Sequence, residues 1–122
     1  VRPSYSKLVC KRLPPPLSAD LAATLATGKR LLVEQYGDRL QAVILFGSAA
    51  RQALTPDSDL DLLVVLRPPF EYFQELRTLV DVLYPLQLES SHWISAKPAS
   101  QTEFIAGTNQ LYRNVQQEGI PL

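Results

Sequence analysis

Residues 46–66 read FGSAARQALTPDSDLDLLVVL, and two carboxylates, Asp59 and Asp61, stand at the mouth of its most apolar run. In an extended strand alternate side chains share a face, so these two would point the same way with Cα atoms roughly 7 Å apart. The residues that follow (62–66, LLVVL) are apolar without alternation, which predicts a strand covered on both faces. Two acids entering such a strand repel each other and lose hydration, at a cost of several kcal/mol per uncompensated ion. A divalent cation would supply the missing charge, and oxygen donors of this kind suit Mg²⁺. Carboxylates so placed can converge on one metal ion or on a pair roughly 4 Å apart. Taken alone, a D-x-D pair is also common in capped turns at a solvent-facing sheet edge.

The segment just before the pair narrows the choice. Phe46-Gly47-Ser48 puts a glycine at the end of an apolar run and a serine at the expected start of a short helix. Glycine lets a phosphate approach the backbone closely, exposed N–H groups at a helix start attract anions, and the Ser48 hydroxyl can donate to a phosphate oxygen. By itself Gly-Ser is a weak signal, because most such pairs are turns. Gly47-Ser48, ten residues, then Asp59-x-Asp61 is an anion cradle beside a metal-binding carboxylate pair. A nucleoside triphosphate requires that combination.

The elements that must position these residues follow from periodicity. Ser18 can cap a helix on which Leu21, Leu25, Leu32 and Tyr36 recur at helical spacing, with Gly37 as its stop. Residues 40–46 (LQAVILF) predict a buried strand and 59–66 a second, with about two helical turns expected over 48–54 between them. Residues 70–83 predict an amphipathic helix with Phe73, Leu76, Leu79, Val80 and Leu83 inward. The alternation at the start of residues 86–94 (LQLESSHWI) predicts a third strand on which Gln87 and Glu89 share a face. Ser100 with Glu103 forms a capping-box pattern opening one last helix, with Phe104, Leu111, Tyr112 and Val115 inward and Gly119 and Pro121 closing it. The order is that of an α/β protein with a small sheet.

Size and composition bound the rest. The 122 residues argue for one compact domain, and a formal net charge of zero draws the chain neither to nucleic acid nor to an anionic membrane. Direct nucleic-acid binding is therefore not expected. The first sixteen residues, with Arg2, Lys7, Lys11, Arg12 and a closing triplet of prolines, read as a basic extension (1–16) ahead of a domain over 17–122. Cys10 is the sole cysteine, expected to be inert, and the sole histidine, His92, excludes a His-rich metal site. No stretch approaches the roughly 18 apolar residues that span a bilayer. With no signal-peptide pattern at the start, a soluble cytoplasmic protein is expected.

The compound motif GSAARQALTPDSDLDLLVV resembles the signature of the DNA polymerase β-type nucleotidyltransferases, and above all their minimal nucleotidyltransferase (MNT) branch. The leading helix, the Pro-Pro after the second strand and the terminal YRNVQQEGIPL extend the resemblance over roughly residues 17–122. It implies a nucleotidyltransferase fold, a small mixed β-sheet with helices packed against it. It also implies an enzyme that binds ATP or another nucleoside triphosphate with Mg²⁺, moves a nucleotidyl group to an acceptor hydroxyl and releases pyrophosphate. Gly47 and Ser48 would hold the β- and γ-phosphates, and Asp59 and Asp61 would ligate the metals. Arg51 matches an arginine often found after the Gly-Ser pair, and would meet phosphate through its forked donors or remain a solvated helix charge. Competing phosphate motifs, G-x-x-x-x-G-K-[ST] and G-x-G-x-x-G, do not occur among the five glycines.

The resemblance also implies a third carboxylate on the third strand that helps activate the acceptor. The usual aspartate falls at Gln87, which cannot act as a base; Glu89 would have to serve as the third catalytic and metal-binding acid, or else is a surface charge. Trp93 is expected to cap the core or to stack on a base, and Tyr112 to lie in the core. The chain stops where the catalytic core of such enzymes stops, so another protein is expected to present the acceptor. In the MNT branch that partner is commonly a HEPN-domain ribonuclease toxin, adenylylated on a tyrosine by its MNT antitoxin. The HEPN motif R-x4-H-x-Y is absent here, since Ile94 follows His92 by two. The alternatives are a non-catalytic module that neutralises its partner by contact, and a small-molecule nucleotidyltransferase working as a homo-oligomer.

Overall fold

The structure, a computed structural model, describes residues 18–51 and 53–122; the basic extension and Cys10 lie outside them. Helix α1 (Ala19–Tyr36) begins where the Ser18 hydroxyl accepts from the Leu21 N–H at 3.1 Å, and it buries Leu21, Leu25, Leu32 and Tyr36 on one stripe. Gly37, at φ 53°, ends it, and a single 3-10 turn (Gly37–Arg39) leads into β1 (Leu40–Phe46). Then come β2 (Leu60–Leu66), α2 (Tyr72–Glu89), β3 (Ile94–Ser100), α3 (Gln101–Ala106), α4 (Gln110–Glu118) and the short β4 (Ile120–Pro121).

The four strands form one mixed sheet in the order β3-β2-β1-β4. Strand β1 is antiparallel to both β2 and β4, while β2 and β3 are parallel. The unbroken apolar run of β2 serves two cores. Leu60, Leu62, Val64 and Leu66 pack under α1 and α2. Leu63 and Val65 pack with Ile44, Ala99 and, from α3 and α4, Phe104, Tyr112 and Val115. Tyr112 is in the core as expected, edge-on to Phe104 at 5.9 Å. Among the described residues no helix is long and apolar enough to cross a membrane.

Four local expectations are corrected. Residues 86–89 are the last turn of α2 and not a strand; the third strand starts at Ile94. The helix continues through Pro85 because Leu83 and Leu86 are buried against α1, whereas Leu88 faces solvent at 68% exposure. The same helix turns Phe73 and Val80 outward, at 68% and 59% exposure, and leaves Leu76 half-buried. The last helix is two, broken at Gly107 (φ 63°), and the Ser100 side chain makes no capping bond. Finally, the segment after Gly47 holds only one turn, closed by the Arg51 N–H to the Gly47 carbonyl at 3.2 Å and the Ala53 N–H to the Ser48 carbonyl at 2.8 Å.

Candidate active site

The antiparallel pairing of β1 and β2 brings the exit of one strand beside the entrance of the other. Phe46, the last residue of β1, is the register partner of Asp61, so the Gly47-Ser48 turn begins next to that carboxylate. Gly47 takes a φ of 75°, in the left-handed region that favours glycine. A Cβ at Gly47 would overlap the Asp61 carboxylate oxygen. The glycine is thus required twice, by the turn and by the acid pressed against it. Ala49 and Ala50 are buried and fasten the turn to the core, leaving Ser48 half-buried and Arg51 exposed.

Asp59 is exposed but its backbone is held on both sides. The Ser58 carbonyl accepts from His92 Nδ1 at 2.8 Å, and the Leu60 N–H donates to the Trp93 carbonyl at 2.8 Å. The turn before it is closed by the Thr55 N–H to Ser58 Oγ at 2.9 Å and the Ser58 N–H to the Thr55 carbonyl at 3.0 Å. The segment joining α2 to β3 therefore fixes the entrance of the acidic strand. Asp61 is half-buried, on the β2 face that looks toward α3 and α4. Burial pushes its carboxyl pKa up, the charge of Asp59 pushes it further, and Lys97 and Arg51 partly offset both. An acid pair whose inner member resists ionisation is a donor set that a divalent cation would relieve, and two carboxylates fit Mg²⁺.

Arg51 Nη1 lies 3.3 Å from Glu118 Oε2 on α4. The two side chains border a cleft of about 200 Å³ beside Gly47, whose wall includes Phe46 and Asn114. Gly47, Arg51 and Asp61 are thus gathered at one end of the sheet, with Ser48 and Asp59 next to them along the chain.

Glu89 is not gathered there. It is exposed near the end of α2 and lines a separate polar hollow with Asp20, Thr24 and His92. Among the described residues no three His, Cys, Asp or Glu side chains stand close enough to share a metal ion. The expected third carboxylate is corrected for a topological reason, since the element carrying Glu89 is a helix. Gln87 is structural: its Nε2 donates to the His92 carbonyl at 3.0 Å and its Oε1 accepts from the Ile94 N–H at 2.6 Å. Trp93 caps no core, being 64% exposed. The β3 residue opposite Asp61 is Ser95. Sequence reasoning missed this strand, although Ser90-Ser91 is a breaker that could have moved its start past His92.

The nucleotidyltransferase domain family profile matches residues 28–117. A Methanocaldococcus jannaschii protein described as a "putative protein adenylyltransferase" is 35% identical over 89 residues, which cover 72% of this chain and 83% of that protein. A solved structure from Sulfolobus solfataricus, described as a "putative nucleotidyltransferase", covers 88% of each chain at 15% identity and a TM-score of 0.48. The chain belongs to the nucleotidyltransferase domain family, and within it fits the MNT branch. It is a nucleotidyltransferase enzyme.

Proposed function

We propose that this nucleotidyltransferase moves AMP from ATP to a hydroxyl on a protein, with Mg²⁺ held by Asp59 and Asp61. The observation that supports this reading is the close approach of the Gly47 backbone to the Asp61 carboxylate, which sets the Gly47-Ser48 turn against the inner acid of the pair. In the reaction the acceptor oxygen bonds to the α-phosphorus, the bond to the bridging oxygen breaks, pyrophosphate leaves and the acceptor proton passes to solvent. The bound cation would neutralise charge developing on the phosphoryl oxygens. The backbone of Gly47 and the Ser48 hydroxyl hold the terminal phosphates, and Arg51 exchanges Glu118 for phosphate when nucleotide enters. A protein acceptor is supported by the description of the M. jannaschii relative. The finer reading, a tyrosine of a HEPN-domain toxin for which this chain is the antitoxin, rests on the resemblance to the MNT branch.

Incubation with labelled ATP, Mg²⁺ and the product of the adjacent gene is expected to label that product. Absence of transfer from nucleotide-binding protein to any candidate partner would contradict the enzymatic reading. A second reading, neutralisation of the partner by contact alone, is favoured by one observation: β3 sets Ser95, not an acid, opposite Asp61. Neutralisation that survives Asp59→Asn with Asp61→Asn would select the contact reading, and its loss selects the enzyme.

A further inference from the structure

Strand β3 turns Ser95 and Lys97 toward the face that carries Asp61. Ser95 is the register partner of Asp61 and Lys97 that of Leu63, and paired residues on neighbouring strands point to the same side. Leu63 is buried under α3 and α4, whereas Lys97, one strand further out at the sheet edge, is exposed. A flexible four-carbon stem lets an edge lysine lean over its neighbours, and the field of Lys97 reaches the Asp61 carboxylate together with that of Arg51. These two cations differ in what else they hold. Arg51 is paired with Glu118, while the Lys97 side chain makes no ion pair or hydrogen bond among the described residues. An edge lysine also discourages sheet-to-sheet association, but that role does not require the side facing Asp61.

We propose that Lys97 is a phosphate-binding residue of this site, its ammonium contacting the triphosphate of the nucleotide that Asp59, Asp61, Gly47 and Ser48 hold. The inference rests on the nucleotidyl-transfer reading. A triphosphate and two carboxylates together remain negative even beside two divalent cations, so the site needs a further positive group. The face opposite Asp61 brings no third acid. It brings a point charge with three donors, which suits a phosphoryl oxygen.

Calorimetric titration of a non-hydrolysable ATP analogue with Mg²⁺ tests this in wild type, Lys97→Met and Lys97→Arg, with melting temperatures recorded alongside. Lys97→Met is expected to weaken binding about tenfold with the protein still folded and at most a small drop in melting temperature, and Lys97→Arg to stay within about threefold of wild type. Wild-type affinity in Lys97→Met, or equal losses in both variants, overturns the proposal while leaving the Asp59–Asp61 site standing. Failure of the wild type itself to bind the analogue overturns the nucleotide reading and this inference with it.

Discussion

Asp61 carries a charge that Lys97 and Arg51 only partly compensate. Its half-buried carboxyl is harder to ionise in the folded chain than in the unfolded one, through burial first and the Asp59 charge second. A carboxyl with a raised folded pKa binds its proton more tightly in the native state. That contribution to stability is fully present below the unfolded pKa and is lost as pH rises through the folded value. In the cation-free protein, Asp61→Asn is therefore expected to raise the melting temperature by a few degrees at pH 7, with the gain shrinking toward pH 4. Thermal melts across that range check it, and a lower melting temperature for the variant at pH 7 would show that the carboxylate is already compensated. Stability given up for binding is usual at functional sites.

At the scale of elements, the segment between α2 and β3 is the brace of the site. Gln87 ties the His92 carbonyl to the Ile94 N–H, His92 holds the Ser58 carbonyl, and the Trp93 carbonyl holds Leu60. Gln87→Ala removes the side chain that the half-buried Ile94 N–H donates to, while the His92 carbonyl keeps Ser90 Oγ at 2.8 Å, and is expected to cost about 1–2 kcal/mol in urea unfolding. Gln87→Glu is expected to bring no gain in transfer, whereas a gain would place residue 87 in the reaction. The alternation Leu86-Gln87-Leu88-Glu89 reads as a strand because period-2 and helical patterns coincide over so few residues. The structure decides otherwise by burying Leu83 and Leu86 against α1, a tertiary fact that no local window contains. By contrast α1, β1 and β2 were legible, since a continuous apolar stripe or run bounded by a cap or a glycine admits one reading. The Gly47–Asp61 half of the site was legible for the same reason, and the β3 half was lost with the misplaced strand.

Across the whole molecule, helices pack on both faces of a mixed sheet, and at one end of its two central strands Asp61 and the Gly47 turn meet. Helix α2 is apolar on two sides: Leu79 and Leu83 face the core, while Phe73, Val80, Tyr84 and Leu88 face outward with Trp93 near them. Amphipathic spacing could not separate those two stripes, which is why Phe73 and Val80 were expected inside. The central claim is that Asp59, Asp61 and the Gly47-Ser48 turn form one cation-dependent nucleotide site. Titrating a non-hydrolysable ATP analogue with and without Mg²⁺ tests it most directly. Binding is expected to require the cation, to fall about a hundredfold or more in the protein carrying Asp59→Asn and Asp61→Asn, and to be unchanged in Glu89→Gln. Undiminished binding in the doubly substituted protein, or its loss in Glu89→Gln, would contradict the account.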